Sequence, residues 1–186
     1  MMDVLEAIRN RRSTRDFAAE VPSRQAIEAL ICLATEAPSA ANRQFWSFCV
    51  VSDQALLDRI SQAAKTYMTR FRPVDLPENL YEKLADPAFH IFYHAPVLIL
   101  ISAKKNAPWK AEDCALAAQN LMLGAVASNF GTCWIGLCQP FLDTPEGRAL
   151  IGISDDETPI APIAMGRPAS QSDYVVRKQP QIRWIT

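Results

Sequence analysis

Three arginines stand at positions 11, 12 and 15 of this chain, with Ser13 and Thr14 between them. Guanidiniums at i, i+1 and i+4 with two hydroxyls interposed offer forked, permanently charged donors, a set suited to holding a phosphate beside a polar ring. The same run also reads as a solvated basic helix end or a short nucleic-acid patch. A second segment, Ala37-Pro38-Ser39-Ala40-Ala41-Asn42-Arg43-Gln44-Phe45-Trp46, stops a helix at a proline and supplies short hydroxyl and amide side chains ahead of an aromatic. Taken alone it describes a turn.

The other reactive residue types make weaker patterns. His90 and His94 have the i, i+4 spacing that can ligate a metal on a helix, but no carboxylate joins them and Pro96 follows closely, so no metal is expected. Glu112 and Asp113 could suggest acid–base work, but a helix-start cap explains them better. The five cysteines are odd in number and sit in apolar contexts without metal-type spacing, which predicts reduced core thiols and a reducing compartment. The chain carries no nucleophile elbow, no P-loop and no glycine-rich dinucleotide fingerprint.

Composition bounds the function classes. A chain of 186 residues, 49% hydrophobic and 21% charged, fits one globular domain with a real core. Its net charge of -1 argues against a nucleic-acid or acidic-membrane partner and so against the nucleic-acid reading of the arginines. The longest apolar stretch, 95–101, is far short of the ~20 residues of a spanning helix. Asp3 and Glu6 stand where a signal peptide carries its positive end. A cytoplasmic protein is the expectation.

The elements that must position these residues follow from periodicity. Val4, Leu5 and Ile8 mark one face of a first helix running into the arginines. Ser23 caps a second, whose buried face is Ile27, Leu30, Ile31 and Ala34 and which stops before Pro38. Residues 48–51 read as a strand, and Asp53 caps a third helix bearing Leu56, Leu57, Ile60 and Ala64. The polar segment 71–87, interrupted by Pro73, Pro77 and Pro87, reads as a lid or insertion outside the core. A doubly buried strand is expected at 96–102, a nearly all-apolar helix at 110–129, a short strand at 132–135, a helix capped by Asp143 or Thr144, and a strand at 159–165. The tail carries Tyr174, Val175, Val176, Ile182, Trp184 and Ile185 without periodicity, so it is expected to wrap over a neighbouring subunit.

Five stretches in this order, Arg11 to Phe17, Ala37 to Asn42, Ala118 to Leu123, Gly131 to Gly136 and Met165 to Ala169, make the chain resemble the nitroreductase family of FMN-dependent oxidoreductases from Val4 to about Lys178. The resemblance implies an α+β, nitroreductase-like fold: a central, mostly antiparallel sheet flanked by helices, in an intertwined homodimer. It implies one FMN-binding domain over 1–186 with a C-terminal arm at about 168–186. By resemblance Arg11, Arg12 and Ser13 bind the FMN phosphate and ribityl chain, Arg15 lies near flavin N1 and O2, and Arg177 or Lys178 completes the phosphate site. Pro38, Ser39 and Asn42 reach the same FMN from the other subunit. Ile135 and Gly136 lie against the isoalloxazine, with the Gly136 N–H toward N5.

The activity so implied passes hydride from NAD(P)H through flavin N5 to a small electron-poor acceptor, a nitroaromatic, quinone or activated alkene, by a ping-pong mechanism without a side-chain acid or base. NAD(P)H visiting the flavin needs no Rossmann domain of its own. Other chemistry on the same fold (dehalogenation, flavin breakdown) and flavin binding without turnover are the alternatives. Two departures from the family pattern bear on the pocket: Gln44 is followed by Phe45 in place of the usual proline, and Asn129-Phe130-Gly131 replaces the usual Gly-Leu-Gly.

Overall fold

A computed structural model describes residues 2–72, 74–171 and 174–186. Pro73, one of the three prolines of the expected lid, and Ser172 and Asp173 of the arm lie outside these residues. The elements in chain order are α1 (Val4–Asn10), α2 (Arg24–Thr35), β1 (Trp46–Val51), α3 (Gln54–Phe71), α4 (Glu78–Ala85), β2 (Val97–Lys104), α5 (Lys110–Ala127), β3 (Gly131–Trp134), α6 (Gln139–Leu142), α7 (Pro145–Ile151) and β4 (Glu157–Gly166). The strands form one sheet in the order β1-β2-β4-β3, and every neighbouring pair is antiparallel.

The expected caps are in place. The side chains of Ser23 and Asp53 accept the Ala26 and Leu56 N–H groups, and Thr144 caps α7 through the Gly147 N–H. Strand β2 is central, pairing β1 on one edge and β4 on the other, and its alternating side chains feed two cores. Val97, Ile99, Ile101 and Ala103 pack with α2 and α5, whereas Leu98 and Leu100 pack with α3, α4 and α6. Both faces are therefore covered, which is why this strand reads as an unbroken apolar run; each fully buried Leu or Ile contributes about 1.5–3 kcal/mol of transfer free energy.

Two expectations are corrected here. The segment 71–87 is not outside the core: it contains α4, whose Tyr81 and Leu84 are buried, because residues three apart share a face that packs against α3. Pro77 stands at the N-cap of this helix and Pro87 follows its C-cap, so both bound the helix instead of preventing it. Cys32 is exposed on α2, so not all five thiols are in the core; all five are free. Val4, Leu5 and Ile8 share one face of α1, as expected, and that face is exposed in the single chain, where α1 buries only Ala7.

Helix α5 ends two residues before its expected limit. Asn129 takes φ 60°, its N–H donates to the Val126 carbonyl, and the Phe130 N–H reaches back to the Ala125 carbonyl at 2.8 Å. That is a Schellman ending with asparagine in the left-handed position. The departure Asn129-Phe130-Gly131 thus keeps the backbone course a glycine would give.

Candidate active site

Helix α1 is closed at its start by a capping box between Asp3 and Glu6 and ends as Arg11 leaves the helical region. From there the chain is extended and used as an additional edge. Ser13 bridges Thr132 of β3 in parallel, with the Thr14 N–H donating to the Thr132 carbonyl at 2.9 Å. Phe17 bridges Pro168 antiparallel, and the Ala18 N–H and Asp16 carbonyl pair with Arg167 and Ala169. Thr14 and Phe17 point inward and are buried; Arg11, Arg12 and Ser13 remain half-buried and Arg15 exposed. The close approach is possible only because residue 131 is glycine, since a Cβ there would overlap the Thr14 side chain.

This edge, with the start of the C-terminal arm, bounds a cavity of about 620 Å³ lined by Arg11, Arg12, Ser13, Arg15, Asp16, Ser170, Gln171, Val175 and Arg177. Among the described residues four guanidiniums face it against one carboxylate, that of Asp16. The pKa of Arg11 is lowered, first by burial and then by the charges of Arg177 and Arg12, against the opposing influence of Cys133. Cations that crowd and repel one another in this way mark a place suited to an anion. Arg12 also anchors itself, donating from Nη1 to the Arg9 and Arg11 carbonyls at 2.6 and 2.8 Å while its guanidinium covers the Tyr174 ring. The neighbouring Cys133 thiol is pushed up by burial, against the pull of Arg15, the Ser13 hydroxyl and Arg11.

Strand β3 leads on to Ile135, buried, whose N–H donates to the Pro162 carbonyl at 2.8 Å, and then to Gly136 in an exposed turn. A Cβ at Gly136 would meet nothing within 4 Å, so the backbone there faces open space. A second cavity of about 530 Å³ begins at Gly136 and is walled by Met68, Leu137 and Pro140, with Val74 and Leu76 from the segment 71–87 and the polar Gln139, Asp143 and Thr158. Within that segment Arg72 makes a bidentate pair with Glu78 at 2.8 and 3.0 Å, and the Tyr81 hydroxyl donates to the Val74 carbonyl at 2.5 Å.

Not every expected residue joins the arginines. Pro38, Ser39 and Asn42 do not line the arginine cavity of their own chain, nor does Lys178, which is exposed in the arm. Their loop is nonetheless rigidly shaped. Ala41, Asn42 and Gln44 take φ values of 51°, 52° and 50°, Ser39 Oγ accepts the Gln44 N–H at 3.0 Å, and Asn42 Oδ1 accepts from Gln44 Nε2 at 2.9 Å. Phe45, the departure from the family pattern, lies under the Arg43 guanidinium and lines a small cavity with Trp109.

Asp113 is a further correction. It does not cap α5; it is buried, and its Oδ1 accepts the Ala40 N–H at 3.0 Å, fastening this loop to the helix. Sequence reasoning passed over that role, over Tyr93, whose ring lies against Arg15, and over Ser170, Gln171 and Val175 in the cavity wall. Only the two residues preceding them, Pro168 and Ala169, carried a family signal. His90 and His94 do not lie on a helix, and among the described residues no cluster of metal-ligating side chains occurs.

A sequence model described as the Nitroreductase family matches residues 8–167. Over 173 residues the chain is 30% identical to a Methanothermobacter thermautotrophicus protein provisionally named NADH dehydrogenase/NAD(P)H nitroreductase, covering 90% of this chain and 78% of the relative. It is 29% identical over 136 residues to an iodotyrosine deiodinase of Thermotoga neapolitana, covering 71% of this chain and 73% of the relative. Among solved structures, a nitroreductase with bound FMN from Bacteroides fragilis superposes with a TM-score of 0.83 at 25% identity, over 100% of this chain and 98% of the other.

Proposed function

This chain belongs to the nitroreductase family, and from that premise we propose that it is an FMN-dependent oxidoreductase acting on NAD(P)H and a small electron-poor acceptor such as a nitroaromatic, a quinone or an activated alkene. When bound, FMN supplies the redox chemistry, accepting hydride at N5 from NAD(P)H and giving it to the acceptor in a second, ping-pong half-reaction.

The observation that carries this reading is the cavity faced by four guanidiniums and, among the described residues, one carboxylate. The donor set fits FMN: Arg11, Arg12 and Arg177, with the Ser13 hydroxyl, suit a terminal phosphate dianion and the polyol chain beside it. Arg15 supplies a fixed cation for the N1 and O2 edge, where reduction deposits charge. We assign Ile135 and Gly136 to the ring's side of the site, where the Gly136 backbone faces open space and the Ile135 side chain is packed in the core behind it. We assign Pro38, Ser39 and Asn42 to the FMN of the partner subunit, and Lys178 to the margin of the phosphate site. The exposed apolar arm supports a homodimer: Trp184 is 83% and Ile185 88% exposed in the single chain. No described helix is long and apolar enough to cross a membrane, and the free thiols accord with a cytoplasmic setting.

The iodotyrosine deiodinase relative makes dehalogenation the second reading. The cavity beside Gly136 favours a neutral acceptor over a zwitterionic amino acid, because Val74, Leu76, Met68 and Leu137 make most of its wall, Asp143 within it is paired with Arg148, and Arg72 and Glu78 are paired with each other. The test is direct. Purified protein loaded with FMN is expected to bleach on anaerobic addition of NADH or NADPH and to recover its colour with a quinone or nitroaromatic. Absence of bleaching indicates a passive flavin binder, and recovery with 3-iodotyrosine alone indicates the deiodinase reading.

A further inference from the structure

Between α4 and β2 the chain makes a turn that is strained and held from several sides. Tyr93 and His94, neither of them glycine, take φ values of 53° and 54°. The Tyr93 N–H donates to the His90 carbonyl at 2.9 Å, and His90 Nδ1 accepts the N–H groups of Phe92 and His94 at 3.2 and 3.4 Å. From α3, Ser61 Oγ accepts the Ile91 N–H at 3.2 Å, and Lys65 Nζ donates to the Asp86 and Phe89 carbonyls at 2.6 and 2.7 Å. Ile91, Phe92 and Ala95 are buried on either side. Two successive left-handed residues persist only where the surroundings over-determine them, and such strain clusters where a side chain must be delivered to one place.

The side chain delivered is the half-buried ring of Tyr93. The Arg15 guanidinium lies 5.9 Å from its centroid, within reach of a cation–π attraction. Phe89 packs edge-on against the other part of the ring at 5.7 Å, so the ring itself is held. Among the described residues no carboxylate pairs with Arg15, so its long side chain has no ion pair to fix it. We propose that Tyr93 is a positioning residue for Arg15, its ring holding the guanidinium at the edge of the flavin site. The inference rests on the placement of Arg15 beside flavin N1 and O2 given above. A cation fixed before reduction stabilises the developing charge more than one that must be recruited from many rotamers.

The test uses FMN-loaded holoprotein and reads the two-electron midpoint potential of the flavin, with FMN affinity and far-UV circular dichroism alongside. Tyr93→Asn deletes the ring but keeps a residue that tolerates the left-handed backbone, so the turn survives. Tyr93→Phe keeps the aromatic face. Tyr93→Asn is expected to lower the potential toward that of Arg15→Gln, Tyr93→Phe to retain most of the native value, and the double variant Tyr93→Asn/Arg15→Gln to lie no lower than Arg15→Gln alone. A native potential in Tyr93→Asn while Arg15→Gln is lowered overturns the assignment of Tyr93 and leaves Arg15 where it was placed. Additive lowering in the double variant overturns it as well, since the ring then acts on its own. A native potential in Arg15→Gln overturns the placement of Arg15, and the role of Tyr93 with it.

Discussion

Arg11 and Arg177, from opposite ends of the chain, face one cavity, and the charge of Arg177 is, after burial, the largest influence depressing the Arg11 pKa. The repulsion between them is relieved by an anion. Arg11→Ala is expected to weaken FMN binding by about 1.5–3 kcal/mol, the worth of a charge-assisted hydrogen bond. Riboflavin, which lacks the phosphate, should bind the native and variant proteins alike. Fluorescence titration with the two flavins checks both halves, and equal native affinity for riboflavin and FMN rules out a phosphate site.

The bond from the Ala40 N–H to Asp113 fastens a loop of left-handed residues onto α5. Asp113→Ala removes a buried, charge-assisted acceptor and is expected to destabilise the protein by about 1.5–3 kcal/mol in urea unfolding. Asp113→Asn, which keeps an acceptor oxygen, should recover part of this. A loss in Ala that Asn does not lessen would mean that the carboxylate acts through its charge alone.

His90 makes stability depend on pH. Its side chain is 9% exposed, its Nδ1 already accepts two backbone N–H groups, and its Nε2 faces Asp58 at 3.3 Å. Its pKa is lowered below 6.5 by burial first and by His94 and Lys65, against the opposing pull of Asp58. The unfolded chain therefore binds the proton more readily than the folded one, so this contribution is complete above pH 6.5 and is lost as pH falls through the folded pKa. Unfolding free energies of the native protein measured between pH 7.5 and 5 should fall more steeply than those of His90→Asn, which offers an oxygen acceptor but does not titrate.

Ending the chain after Arg177 removes Ile182, Trp184 and Ile185 while keeping Arg177. The shortened protein is expected to dissociate at higher concentration than the full chain and to retain flavin less well, because the proposed site, assembled from two subunits, is linked to their association. Sedimentation velocity across a concentration series, followed at the flavin band, reads both. A native dimer with native flavin content would show that the arm covers nothing of the partner.

What the sequence determined by itself lies mostly where a local rule suffices. Ser23, Asp53 and Thr144 cap their helices because each has a short oxygen-bearing side chain ahead of an apolar periodicity. Residues 97–104 form the central strand because both of their faces are apolar. The cluster of Arg11, Arg12, Ser13 and Arg15 was legible because those residues are contiguous and share one chemistry. Where they lead was not. That Arg177 meets them was implied by the family resemblance alone and depends on the C-terminal arm returning to the first turn of the chain, and Asp113 is a loop fastener only because α5 happens to bring it under Ala40. Helix α4 was hidden by its prolines, which act at its borders, and its buried pair Tyr81 and Leu84 is too short a pattern to stand out without α3 to pack against. Tyr93 beside Arg15 exists only through a turn whose strain is borne by hydrogen bonds from His90, Ser61 and Lys65. Propensity and periodicity act over a few residues and are written in the sequence; meetings between distant side chains are set by the closure of the whole fold, and only the tertiary structure decides them.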